Sequence, residues 1–323
     1  MNINSEQLKI EIIKKYRATY IKGFTDIFIC LILFGLSLLL TKMFGFVLCP
    51  FLYLMLYRCF VLYHDLGHLN WFPNELLNII FGHIFGCVTL ASPIWHYSHA
   101  MHHRVNGNLT NKLKWKWSDT ILYTVEQYQT LPKTEQLLYR FFRDPLVFFT
   151  IFPPIYFMIL HRFKGIKSNT LHWFIHNMLV ICWLYFINWF GILPEYLLTV
   201  ISGYITGFIF FHNQHTFNPG YPCNNEKWTL YDSGAFGSSF IQIPRFLKYF
   251  TVGIEYHNIH HFIAKIPGYN LQRCYEENKE FHNAYKLSLV DCLYNLRLTL
   301  FDNINKRFIS FNELARPEYR PKV

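Results

Sequence analysis

The chain has 323 residues, of which 52% are hydrophobic, 20% aromatic and only 15% charged, well below the roughly 25% charge of ordinary soluble domains. That shortage of charge argues against a soluble globular domain and for a membrane. The net charge of +10 is spread along the chain and gathered on no periodic face, so the expected partner is the lipid bilayer and no nucleic acid is expected.

The first 23 residues, "MNINSEQLKIEIIKKYRATYIKG", lack the apolar core and small-residue cleavage site of a secretory signal, so residues 1–23 read as a cytoplasmic segment ahead of an uncleaved first span. Apolar segments of spanning length then run over residues 24–40, 43–63, 171–190 and 194–211, each near the ~20 residues that cross hydrocarbon. Two shorter ones cover 76–91 and 146–160. The second measures only about 22 Å as a helix and carries Pro153-Pro154 in its middle, so it is expected to dip in and return or to lie along the interface. The turns at 41–42 and 191–193 hold one Lys between them, whereas thirteen Lys and Arg follow Phe211 and seven lie from Arg104 to Arg143. By the positive-inside rule both termini and every long loop are cytoplasmic.

These segments predict an all-α integral membrane fold: four transmembrane helices in two hairpins, interfacial or re-entrant helices, and a cytoplasmic cap. Residues 24–308 read as one membrane domain and 309–323 as a loosely attached tail. The eight cysteines are scattered with no C-x-x-C pair, which predicts free thiols and offers no set for an iron–sulfur cluster.

Ten of the sixteen histidines fall in four clusters: "HDLGH" (His64, His68), "HAMHH" (His99, His102, His103), "HNQH" (His212, His215) and "HNIHH" (His257, His260, His261). Residues at i, i+3 and i+4 share a helix face, so each cluster projects its imidazoles from one stripe. Each lies just beyond an apolar segment, which sets a ring of candidate ligands at the cytoplasmic mouth of a bundle. Imidazole suits Zn, Cu, Fe and Ni, but eight to ten rings are too many for one tetrahedral zinc, so two metals are implied. Neither the H-E-x-x-H of zinc proteases nor the Glu-x-x-His pairs of soluble di-iron bundles occurs. His83, His96, His161, His172, His176 and His282 read as satisfied polar residues. Asp65, Asp119, Glu255 and Asp232 are candidates to orient ligating rings.

The pattern H-x-x-x-H, H-x-x-H-H and H-x-x-H-H resembles the histidine boxes of membrane fatty acid desaturases, closest to the acyl-lipid omega-6 branch. The resemblance covers roughly Leu56 to Glu277 and includes "TVEQY" from Thr124, "FRDPLVFF" from Phe142, "FHNQH" from Phe211, "GSSFIQIPRFLKYFT" from Gly237 and "HNIHHFIAKIPGYNLQRCYE" from His257. Where that branch often has an acidic residue soon after the fourth cluster, this chain has "TFNPG". The resemblance implies a cytoplasmic non-haem di-iron centre that uses O2 to remove two hydrogens from an acyl chain. Its two iron ions would be held by His64, His68, His99, His102, His103, His257, His260 and His261, with His215 and then His212 as further ligands. No residue beyond the metal ligands is expected to be catalytic. Trp95, Trp115 and Trp117 are candidate tunnel-lining residues, with Trp71 nearby.

The expected substrate is a fatty acyl lipid or acyl thioester. Since no H-P-G-G signature of a b-type cytochrome is present, electrons are expected from a separate b-type cytochrome or ferredoxin. In a eukaryotic host the membrane would be the endoplasmic reticulum. A di-iron lipid hydroxylase or oxygenase on the same scaffold is the alternative. A non-catalytic metal-binding membrane protein fits less well, because a transporter carries ionisable groups near the bilayer midplane. The charges in the four spans, Asp26, Arg58 and Glu195, lie near segment ends.

Overall fold

The computed structural model describes residues 5–93, 95–110, 122–164, 170–224 and 226–319. It opens with Ser5–Tyr16 (α1), then Tyr20–Phe44 (α2) and Cys49–Gly67 (α3). Gly45, at φ +60 with extended ψ, ends α2 in a conformation that favours glycine. Pro50 sits in the first turn of α3, where its missing N–H leaves no partner unsatisfied. The chain therefore doubles back, and Arg58 Nη2 comes within 2.5 and 2.6 Å of the two carboxylate oxygens of Asp26. With Arg58 only 2% exposed, this pairing is what lets two charges lie in an apolar hairpin.

Glu75–Val88 (α4) begins where the Asn74 side chain accepts from Leu77 N at 3.0 Å, and Trp95–Val105 (α5) follows. Lys133–Phe142 (α6) exposes Leu137, Leu138, Phe141 and Phe142 and meets the stretch Val147–Phe163 at 61°. That stretch is helical, but π turns at Val147–Ile151 and Tyr156–Leu160 flank Phe152–Ile155. Pro153 and Pro154 carry no N–H, so the hydrogen-bond ladder re-registers around them. Thr170–Phe190 (α7) and Leu193–His215 (α8) form a second hairpin through Gly191, at φ +82.

Helix α3 is the axis of the bundle and packs against α2, α4 and α8. Its Leu52, Met55, Leu56, Cys59, Leu62 and Leu66 are all within 3% of full burial. The opposite condition holds at the periphery: Phe28, Ile32, Leu36 and Leu39 of α2 and Leu171, Ile175, Leu179 and Trp189 of α7 are exposed. Apolar stripes of this extent require lipid rather than water. Tyr20–Gly67, Leu171–Phe190 and Leu193–His215 are long and apolar enough to cross a bilayer.

Below the bundle lie Leu230–Ala235 (α9), His257–Phe262 (α10), Gly268–Glu277 (α11) and two small sheets. In one, Phe240–Ile241 (β1) pairs in parallel with Lys286–Leu287 (β2); in the other, Leu300–Asp302 (β3) pairs antiparallel with Arg307–Ile309 (β4). Helix α1 is tied to this region by Tyr16 Oη, which donates to Glu277 Oε2 at 2.7 Å.

Three boundaries differ from the sequence reading. The second apolar helix starts at Cys49, not residue 43, because the Gly45–Leu48 turn intervenes. The fourth runs on to His215, so "HNQH" is helical. The tail is not loose over its described part: Tyr319 Oη donates to Asp302 Oδ2 at 2.7 Å, and Ser310 caps Phe311–Leu314. Ile309 is fully buried, and Phe311, Leu314 and Tyr319 pack with it against Val125, Tyr128 and Leu300; apolar residues this sparse give no periodic signal, which is why the tail reads as unstructured in sequence.

Candidate metal centre

Each histidine cluster lies on the last turn of a helix or on a short helix of its own. His64 is in the final turn of α3 with His68 at its C-cap, His99, His102 and His103 are on α5, His212 and His215 end α8, and α10 consists of little besides its three histidines. Gly234 lets α9 lie directly on α10, since a Cβ there would stand 2.7 Å from Phe262 N. The four clusters converge.

They do so as two groups. His64, His68, His99, His103 and His260 form one, and His102, His215 and His261 the other; within each, one ligand nitrogen per ring lies within 4.8 Å of all the rest. Both His-His dipeptides are divided: His103 and His260 face the first group while His102 and His261 face the second. Adjacent helical residues point about 100° apart, so an H-H pair can serve two centres where an H-x-x-x-H pair serves one. The groups abut, with the His103 and His261 rings stacked at 4.0 Å. His257 Nε2 lies 3.1 Å from His215 Nε2, at the edge of the second group.

Hydrogen bonding alone does not satisfy these rings. His99 Nε2 is 2.8 Å from His64 Nε2 and 3.0 Å from His103 Nε2, yet one imidazole nitrogen carries at most one proton. His68 Nε2 and both ring nitrogens of His260 and His261 are buried with no hydrogen-bond partner among the described residues. Burial first, then the neighbouring rings, holds His68, His99, His102, His103, His257, His260 and His261 well below the usual histidine range. They are neutral at pH 7, which is the ligating form. Orphaned buried acceptors aimed at shared points are what metal cations satisfy, so both groups fit a metal.

The candidate carboxylates differ in what they touch. Asp65 Oδ1 lies 2.9 Å from His64 Nδ1, and its Oδ2 accepts from Gly268 N at 2.7 Å. That carboxylate keeps the His64 proton on Nδ1 and leaves Nε2 free toward the group. Glu255 instead accepts from Thr251 Oγ1 at 2.7 Å, and burial raises its carboxyl above the ordinary range. Asp232 is taken up at the start of α9, where it accepts from the Thr229 hydroxyl at 2.7 Å while Thr229 caps the helix. Asp119, Trp115 and Trp117 lie outside the described residues.

Trp95 is buried and stacks on His99 at 4.6 Å. It lines an apolar cavity with Tyr57, Phe60, Val61, Phe157 and Phe211, and His64, His99 and His257 also stand in the wall. Trp71 lies elsewhere, fully buried against Tyr269. His212 belongs to neither group, and its Nε2 is 2.9 Å from the Asn295 carbonyl. Of the remaining histidines, His161 meets Ser98 Oγ at 3.1 Å and His282 meets the Tyr275 carbonyl at 2.8 Å. His172, His83 and His176 form a chain that ends on the Ala91 carbonyl. With His176 donating to that carbonyl, His83 donates to His176 and His172 to His83.

Sequence reading missed Phe60 and Phe157, whose cavity role depends on which face of each helix turns inward. It also missed Gly268, where a Cβ would lie 2.2 Å from the Val252 carbonyl.

A family model described as fatty acid desaturase matches residues 41–291. A fatty acid desaturase of Bacillus subtilis (strain 168) is 31% identical over 267 residues, spanning 80% of this chain and 74% of that protein. An omega-3 fatty acid desaturase, endoplasmic reticulum, of Nicotiana tabacum is 26% identical over 72% of this chain and 64% of its own. An sn-1 oleoyl-lipid 12-desaturase of Picosynechococcus is 24% identical over 70% of this chain and 66% of its own. With most of its length inside the family model and the histidine groups inside that match, the chain belongs to the fatty acid desaturase family of oxidoreductases.

Proposed function

We propose that this chain introduces a double bond into the acyl chain of a membrane lipid or acyl thioester, with O2 as co-substrate and two iron ions at the two histidine groups. The observation that carries this reading is the division of both H-H dipeptides between two abutting groups beside an apolar cavity. His64, His68, His99, His103 and His260 would hold one ion, and His102, His215 and His261 the other, with His257 beside the second. Iron with dioxygen supplies the oxidising power to take hydrogen from unactivated methylenes, which no acid, base or nucleophile of the protein provides.

The chain's own residues bind and orient. Tyr57, Phe60, Val61 and Phe157 enclose a slot for methylenes and exclude water, and His64, His99 and His257 stand in its wall. Asp65 holds the His64 tautomer. Acyl chain, O2, two electrons and two protons balance to alkene and two waters, so an external reductant is needed, and a separate b-type cytochrome or ferredoxin is proposed. A relative from Nostoc is named for ferredoxin, which supports the second.

In the membrane, α2, α3, α7 and α8 are the four proposed spans, with Lys133–Phe142 and Val147–Phe163 dipping in and returning. Both termini and the histidine groups would lie on the cytoplasmic face, that of the endoplasmic reticulum in a eukaryotic host. Residues 24–308 would form one membrane domain between segments 1–23 and 309–323. Metal analysis of detergent-purified protein, paired with gas chromatography of fatty acids from expressing cells, tests the reading. About two irons per chain with new unsaturated acyl species, both lost in His260→Ala, are expected. Iron without new double bonds, or no iron, contradicts it.

A further inference from the structure

Against the second histidine group lies a further cavity, of about 90 Å³, whose wall includes His102, His215, Asn106, Thr216 and Arg143. Arg143 is 7% exposed, and its Nε is sealed from solvent without a partner. Its guanidinium forms no ion pair among the described residues; it is held by rings, 4.3 Å from the Phe148 centroid and 6.0 Å from that of Tyr139. The adjacent Asp144 does not neutralise it, being exposed and accepting from Leu146 N at 3.0 Å. No described residue lining the cavity is an Asp or Glu. His212, also in the wall, donates to the Asn295 carbonyl.

Buried charges in folded proteins are paired, and a guanidinium in particular matches the planar oxygens of carboxylate and phosphate. Water fills a cavity of this size but brings no counter-charge. Among the described residues no such partner is present, which points to an anion from outside the chain. Two placements say which kind. Phe211 lines both this cavity and the apolar slot, so a lipid whose chain occupies the slot would have its polar end here. Arg143 also sits at the 61° break after α6, whose exposed apolar residues suit the level of lipid headgroups.

We propose that this cavity seats an oxyanion on the polar end of the acyl substrate, a lipid phosphodiester or a fatty-acid carboxylate, with Arg143 as its counter-charge. This rests on the desaturase reading and adds a polar recognition site to it.

Native mass spectrometry of the full chain in nonionic detergent tests the assignment by titration with dipalmitoyl phosphatidylglycerol, palmitic acid and dipalmitoylglycerol. A charge-assisted bidentate pair is worth roughly 10- to 100-fold in affinity. The wild type is expected to prefer one oxyanion-bearing ligand over dipalmitoylglycerol by about that factor. Phosphatidylglycerol as the tighter ligand assigns a phosphodiester, and palmitic acid a carboxylate. Arg143→Gln should erase the preference and Arg143→Lys restore part of it. Equal wild-type binding of all three, or a preference that survives in Arg143→Gln, overturns the proposal. Should Arg143→Gln not fold, competition by inorganic phosphate in the wild type decides, and no competition overturns it. Iron content and unsaturated product, measured on the same preparations, report on the desaturase reading separately, because lipid binding needs neither.

Discussion

Asp65 separates metal orientation from fold stability, because its two oxygens do different work. Oδ1 faces His64 Nδ1 at 2.9 Å, and Oδ2 accepts from Gly268 N at 2.7 Å. Asp65→Ala removes both. The buried Gly268 N–H is left without an acceptor, which costs about 1–3 kcal/mol, and loss of a ligand-orienting carboxylate costs about 10- to 100-fold in metal affinity. Asp65→Asn keeps the volume and one carbonyl oxygen. If that oxygen faces Gly268, the amide N–H points at His64 Nδ1 and drives the ring proton to Nε2, the nitrogen that faces His99. The expected result is a stability within about 1 kcal/mol of wild type but iron retention reduced at least tenfold. The assay is iron per chain against increasing chelator, with thermal unfolding on the same samples. A wild-type chelator midpoint in Asp65→Asn would refute the orientation argument, and an unchanged melting temperature in Asp65→Ala would refute the role at Gly268.

Gly268→Ala should destabilise by about 3 kcal/mol or more, since the new Cβ would lie 2.2 Å from the Val252 carbonyl and 2.8 Å from Asp65 Oδ2; thermal unfolding reads this directly. Phe60 separates the apolar slot from a smaller void lined by Leu56, Thr89, Val200, Gly203 and Tyr204. Phe60→Ala should join them and shift products toward longer acyl chains by gas chromatography, and an unchanged chain-length profile would count against the slot. Metal-stripped protein should lose stability as pH falls below about 6.5. His96 is pushed down to about 4 by burial, and the clustered rings are also held low. The unfolded chain therefore binds protons that the folded chain refuses, and stability falls with falling pH by up to about 1.4 kcal/mol per unit per ring. A melting temperature independent of pH from 7 to 5 would contradict this.

Two kinds of information were needed, and they divide along physical lines. Helix spacing is local, so "HAMHH" and "HNIHH" already declared that each would project imidazoles from one face, and apolar run length located all four long helices to within a few residues. Local polar chemistry was less legible: Gly45 and the 45–48 turn displaced the start of α3, and the Ser310 and Tyr319 anchors ordered a tail that looked free. Which histidines share a group could not be read from spacing, because it depends on how α3, α5, α8 and α10 are rotated against one another. Only that packing sends His103 and His260 one way and His102 and His261 the other. Asp65 could be shortlisted beside Glu255 and Asp232, yet a carboxylate is assigned by what it touches, and His64 and Gly268 meet it from positions one and 203 residues away. The sequence by itself determined the long apolar helices and the set of candidate ligating histidines, since both follow from periodicity and side-chain chemistry. The tertiary structure alone decided the division of those histidines into two groups, the cavities beside them and an Arg143 with no ion-pair partner among the described residues, because these are relations between surfaces that no single segment carries.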